Sequence, residues 1–203
     1  MRIKNVKLLR ARARWHAKEG HVKQGTYGGG RVNGEVEFHG CFVGCLATPH
    51  SKRALKSFLQ ENLSGLVWAS GESHLLERTV REQQHRTLTA TFGLTPPLIA
   101  LIEAFFEAQP THAEAIDFVP KVAAALNEGA DISPKDVRLW WRERHPSSIY
   151  APHRAGSYTN LQRDIRGPLC MTPREQNRRV RIATEEFLKF LSEQKPAQTE
   201  RTS

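Results

Sequence analysis

Residues 95–110 read TPPLIALIEAFFEAQP. Thr95 stands where a helix N-cap belongs and Pro96 suits the first helical position. Leu98, Leu101, Ile102, Phe105 and Phe106 then recur at helical spacing until Pro110 stops the pattern. The segment after it opens with a capping box, Thr111 to Glu114, and carries Ile116, Val119, Val122 and Leu126 before Gly129. Pro120 lies inside that pattern, so a kink or a break is expected there.

Two further helix starts follow. Ser133, Pro134 and Asp136 open PKDVRLWWRERH, which Pro146 ends. Thr172, Pro173 and Glu175 open the last helix, where Val180, Ala183, Phe187, Phe190 and Leu191 form an apolar stripe. The polar stretch between them, punctuated by Pro and Gly, reads as a loop or linker. Only GTYGGGRVNGEVEFHG, residues 25–40, departs from helix, with an alternation that suits a hairpin turning at Asn33-Gly34. An isolated hairpin is marginal, so little sheet is expected. The predicted fold is therefore mainly α: a helical bundle-like domain over residues 1–146 with at most a small β-hairpin near residues 25–39. A loop or linker follows over 147–171, then a C-terminal helix over 172–193 packing on the main domain, and a disordered tail over 194–203.

Composition narrows the functional classes. Thirty Lys and Arg against twenty-one Asp and Glu leave a net charge of +9 over 203 residues, which suits an anionic partner. Three cysteines fit a reducing compartment better than a disulfide framework, so a cytoplasmic location is expected. Residues 1–18 contain no acid, as in organelle-targeting peptides, but no apolar run follows the charges as in a secretory leader. No stretch approaches the roughly twenty apolar residues that cross a bilayer, and no membrane partner is expected. The glycines at 28–30 lack the Lys-Ser/Thr of a phosphate loop, and no cofactor is expected.

HGCFVGCLATPH, residues 39–50, places two cysteines and two histidines close together. His39, Cys41, Cys45 and His50 could supply four zinc ligands, since thiolate and imidazole match that metal. Zinc sites usually pair two chelating units across a longer loop, however, and these four crowd together. Cys41 could instead be a nucleophile, its thiolate favoured at a helix N-terminus, with one of nine histidines as base. The plain alternative is that both cysteines are small apolar core residues, and that is the expectation taken here. Cys170, at a helix entry, reads as a packing residue.

The blocks HGCFVGCL, FGLTPPLIALIEAFFEAQP and AALNEGADIS, in this order and spacing, resemble a family of bacterial and phage proteins with no assigned activity. Its counterparts read approximately G-C-x-V-G-C, L-G-I-P, E-x-x-I-F-E-G-L-P and G-A-D-L-S. The resemblance covers about residues 24–133; it implies one helical domain and transfers no catalytic residue. Where those relatives continue with an apolar segment, this chain has PKDVRLWWRERHP.

That departure completes a second resemblance. Residues 121–144, KVAAALNEGADISPKDVRLWWRER, are similar to a helix-turn-helix unit, with Val137 and Trp140 inward and Lys135, Arg138 and Arg142 outward towards phosphates or bases. The other reading is a bundle helix with core tryptophans and solvated arginines. Two further basic stripes bear on the choice: Lys7, Arg10, Arg14 and Lys18 near the N-terminus, and Arg174, Arg178 and Arg181 on the last helix. Together they point to a non-enzymatic binding protein with DNA or RNA as the first expected partner. A protein partner and a Cys41-dependent hydrolase or transferase are the alternatives.

Overall fold

The computed structural model describes residues 2–25, 30–32, 35–66, 74–148, 152 and 158–196. Among these the chain is mainly helical, as expected: α1 (Val6–Lys18), α2 (Phe42–Ala47), α3 (Lys52–Leu66), α4 (His74–Phe92), α5 (Pro96–Ala108), α6 (His112–Ala125), α7 (Pro134–Arg144), α8 (Tyr158–Arg166) and α9 (Pro173–Glu193). Two short strands, β1 (Gly30–Val32) and β2 (Glu35–Glu37), pair antiparallel with Val32 opposite Glu35. The turn expected at Asn33-Gly34 lies outside the described residues.

The centre of the molecule is α5. Leu98, Leu101, Ile102, Phe105 and Phe106 are buried, and so are Ile99, Ala100 and Ala104 on the opposite side. A helix that is apolar all round must be enclosed, and α2, α4, α6, α7, α8 and α9 all pack against this one. α4 and α5 meet at 115°. No single helix among the described residues is long and apolar enough to cross a membrane.

Helix ends follow the local chemistry read above. Ser133 and Asp136 close a reciprocal capping box on α7, and Thr172 and Glu175 close another on α9. At α6 the Glu114 amide donates to Thr111 Oγ1, and the Thr111 hydroxyl donates to the Glu114 carboxylate. α6 runs through Pro120 as one helix, so of the kink or break expected there the break does not occur.

Several ends are capped from far away in sequence. The Glu128 carboxylate accepts from the Asn5 and Val6 amides at the start of α1 (2.9 and 2.7 Å). Arg10 on α1 returns the favour, donating to the carbonyls of Ala123, Ala124 and Leu126 at the end of α6. α1 and α6 thus lie antiparallel, each satisfying the other's unpaired terminal groups. The chain ahead of α1 is stitched on both sides, with Lys4 N donating to Phe92 O, Ile3 N to Ala130 O and Gly129 N to Ile3 O.

Two expectations need correcting. Residues 147–171 are not simply a linker: α8 forms within them, and its Leu161 and Ile165 join the same buried core as α5. The tail expected from 194 starts tied down, because Asn127 Nδ2 donates to Ser192 O and Gln194 O and Pro196 bridges to Ala130. Residues 197–203 lie outside the described residues. The helix-turn-helix likeness spans the end of α6, residues 126–133 and α7. α7 packs on α5 and reaches α9 through Trp140, while α6 packs on α1, α5 and α9. Residues 126–133 between them serve as the seam that holds both ends of the chain.

Candidate nucleic-acid interface

α7, α8 and α9 converge on one groove. Trp140 anchors α7, its ring 5.4 Å from Phe187 and 5.3 Å from Phe190 of α9. That contact brings Arg144 over the Trp140 face at 4.8 Å and within 3.5 Å of Glu186. His145 ends α7 and stacks on Trp141 at 4.0 Å; burial, and then the neighbouring Arg179, push it down to about 4, so it is neutral near pH 7. The Ser148 hydroxyl donates to Asp164, tying the exit of α7 to α8. Arg179 of α9 caps α8, donating to the carbonyls of Ile165 (3.2 Å) and Asp164 (3.3 Å). Gly167, at φ +88°, closes the same helix end, where a Cβ would sit 2.9 Å from Met171 Sδ.

The result is a cleft of about 490 Å³ lined by Arg144, His145, Arg163, Leu169 and Arg179, among others. A second, of about 400 Å³, adjoins it across Arg144, His145 and Arg179 and adds Arg178 and Ile182. Three acids line the same clefts: Asp164 accepts from Ser148, Glu186 pairs with Arg144, and Glu175 sits in its capping box, where the Thr172 hydroxyl and amide hold its carboxyl below the usual range. Arg174 and Arg178 are exposed and pair with no described residue. A groove of this kind presents guanidinium groups to its surroundings, and such groups suit bidentate contact with phosphate or carboxylate.

Of the basic residues expected to bind, Arg178 lines this groove and Arg174 stands one turn before it on α9. Arg181 is bound to Glu114 at 2.6 Å. Arg10 is not available, because its guanidinium is occupied by the carbonyls of α6. Lys7 and Arg14 are exposed on α1, which packs against α6 and α2 and does not contribute to the groove. On α7, Lys135 and Arg142 are exposed and Arg138 is half-buried, none of them lining the clefts. The structure adds Arg144, Arg163 and Arg179, which the sequence reading missed; the signals were the RERH run at the end of α7 and the RDIR turn of an unrecognised helix.

The cysteine-histidine stretch resolves differently. Cys41 is the N-cap of α2, as a nucleophile there would require, but its thiol is fully buried and pushed well above its ordinary value by that burial and by the nearby Glu103 and Glu107. Such a thiol stays protonated and unreactive. Cys45 is buried too, its thiol donating to Gly40 O at 3.3 Å. His39 is half-buried and His50 is exposed, and among the described residues no three ligating side chains gather where a metal could sit. Cys170 is exposed, not packed. Native protein should therefore react with a thiol reagent rapidly at Cys170 alone, and at all three cysteines after unfolding. A native Cys170→Ser variant that still labels rapidly would show that Cys41 or Cys45 is open to solvent.

One buried cluster had no counterpart in the sequence reading. Glu103, 1% exposed, accepts from His85 Nε2 at 3.0 Å and lies 3.5 Å from Arg81. One turn on, Glu107 is pushed up to about 7, chiefly by burial and against the Gly25 amide that donates to it.

No protein-family model, curated protein or solved structure matches this chain.

Proposed function

We propose that the protein binds nucleic acid without catalysing a reaction on it, through the groove between α7, α8 and α9. The observation that carries this reading is the gathering of Arg144, Arg163 and Arg178 from three helices around adjoining clefts, with Arg179 held beside them by the carbonyls that end α8. The net charge of +9 adds a long-range attraction to the same class of partner. The buried, protonated Cys41 thiol speaks against the hydrolase or transferase alternative. A cytoplasmic location and a bacterial or phage origin are part of the proposal, supported by the unpaired cysteines and by the motif resemblance respectively.

The test is anisotropy with a labelled duplex of about two helical turns across a salt series. Affinity should fall steeply with salt, because each neutralised phosphate releases condensed counterion. Replacing Arg174 and Arg178 together by alanine should reduce the slope of log K against log salt by about one to two while leaving the fold intact. Absence of binding to DNA and RNA at low salt, or an unchanged slope in the double variant, would overturn the reading.

A further inference from the structure

The turn that joins α8 to α9 carries an apolar residue in an unusual setting. Leu169 is 90% exposed, by far the most exposed large apolar side chain among the described residues. It sits at the tip of a tight turn closed by the Met171 amide donating to Pro168 O at 3.1 Å. The turn is braced from both sides: Gln176 Nε2 donates to Pro168 O at 3.2 Å, and the Met171 sulfur lies against Gly167. Pro168 stiffens it further. The leucine is therefore held outward by rigid chain and contributes nothing to the core.

Its surroundings identify what it meets. Leu169 forms part of the rim of the cleft that holds Arg144, Arg163 and Arg179. Ile182, 48% exposed, lies in the adjoining cleft with Arg178. An apolar tip ringed by guanidinium groups matches a ligand with an anionic outer surface and an apolar interior, and stacked base pairs between phosphate backbones are such a ligand. Single strands are usually held by exposed aromatic platforms, and among the described residues around the groove Trp140, Trp141 and Phe187 are buried and Phe190 is partly buried. Architectural proteins instead open a duplex step with an aliphatic wedge, flanked by cations that grip the phosphates.

We propose that Leu169 is such a wedge: it enters a flexible step of duplex DNA while Arg144, Arg163 and Arg178 hold the flanking phosphates. The inference rests on the binding proposal above and names its ligand class and contact residue. Pyrimidine–purine steps, the easiest to unstack, are the preferred sites.

The experiment uses the full chain and a short duplex with 2-aminopurine at a central TA step, and compares wild type with Leu169→Ala and Leu169→Ser. Circular dichroism confirms that both variants fold, as the exposure of the side chain requires. Wild type should bind and raise 2-aminopurine fluorescence as the base unstacks. The variants should lose the rise and bind about tenfold more weakly, with the salt slope unchanged because the phosphate contacts remain. Variants that bind and unstack like wild type, or wild-type binding without any fluorescence rise, would overturn the wedge and leave the binding proposal standing. A wild type that binds no duplex at low salt would overturn both, and binding to phosphatidylserine vesicles in its place would mark the tip as a membrane contact.

Discussion

Alanine at position 93 is expected to cost about 3–5 kcal/mol, enough to leave the protein mostly unfolded if its stability is ordinary for its size. Gly93 takes φ +69°, a backbone conformation that L side chains rarely adopt, and a Cβ there would stand 2.1 Å from the carbonyl oxygen of Arg2. Backbone, not a flexible side chain, occupies that space. The segment around Arg2 cannot retreat cheaply, because Lys4 and Ile3 donate to Phe92 and Ala130, and Asn5 Nδ2 donates to Thr91 O at 2.7 Å. Pushing it away also pulls Asn5 and Val6 off the Glu128 carboxylate and loosens Arg10 from the end of α6. Strain at one residue thus becomes loss of the contacts that tie the N-terminus to the ends of α4 and α6. Urea denaturation of Gly93→Ala and wild type measures the difference. A midpoint shift worth less than about 1 kcal/mol would mean that the N-terminal segment is not held as described.

The same seam shows which parts of the fold were legible in the sequence. The α7 and α9 starts were, since a capping box is written in adjacent residues: Ser133 with Asp136, Thr172 with Glu175. So were the inward positions of α5 and α9, because periodicity reports burial directly. Arg10 was not. A basic residue on a helix reads alike whether it faces solvent or the carbonyls of a helix 113 positions away, and only the tertiary fold separates the two. α8 was missed for a related reason. Among the described residues it offers two buried apolar side chains, Leu161 and Ile165, too few to set a clear periodicity. It is stabilised from outside itself, by packing on α5, by Gln162 and Arg166 donating to Glu107 O (2.7 and 2.9 Å), and by Arg179 at its end. Missing α8 hid the groove as well, because Arg163 and the Leu169 turn belong to it.

Glu103 was hidden inside the most readable helix, and it supplies the second large effect. Replacing it with leucine should cost about 3–5 kcal/mol, although leucine has similar volume and the site is apolar on most sides. His85 Nε2 would lose its acceptor and Arg81 the carboxylate 3.5 Å away, both in places closed to water. The penalty comes from what the partners lose, not from the glutamate itself, so it can be separated by a second change. Leucine at 103 combined with His85→Leu and Arg81→Met removes the stranded groups along with the carboxylate, and should recover most of the loss, since an apolar replacement of a buried ionic group is often neutral or better. Glu103→Gln should fall between, keeping an acceptor for His85 but no charge for Arg81. Chemical denaturation of the four proteins gives the ordering. If the single leucine variant is as stable as wild type, the three side chains are not interdependent. If the triple variant is no better than the single one, the cost lies in packing around α5 and not in uncompensated polar groups.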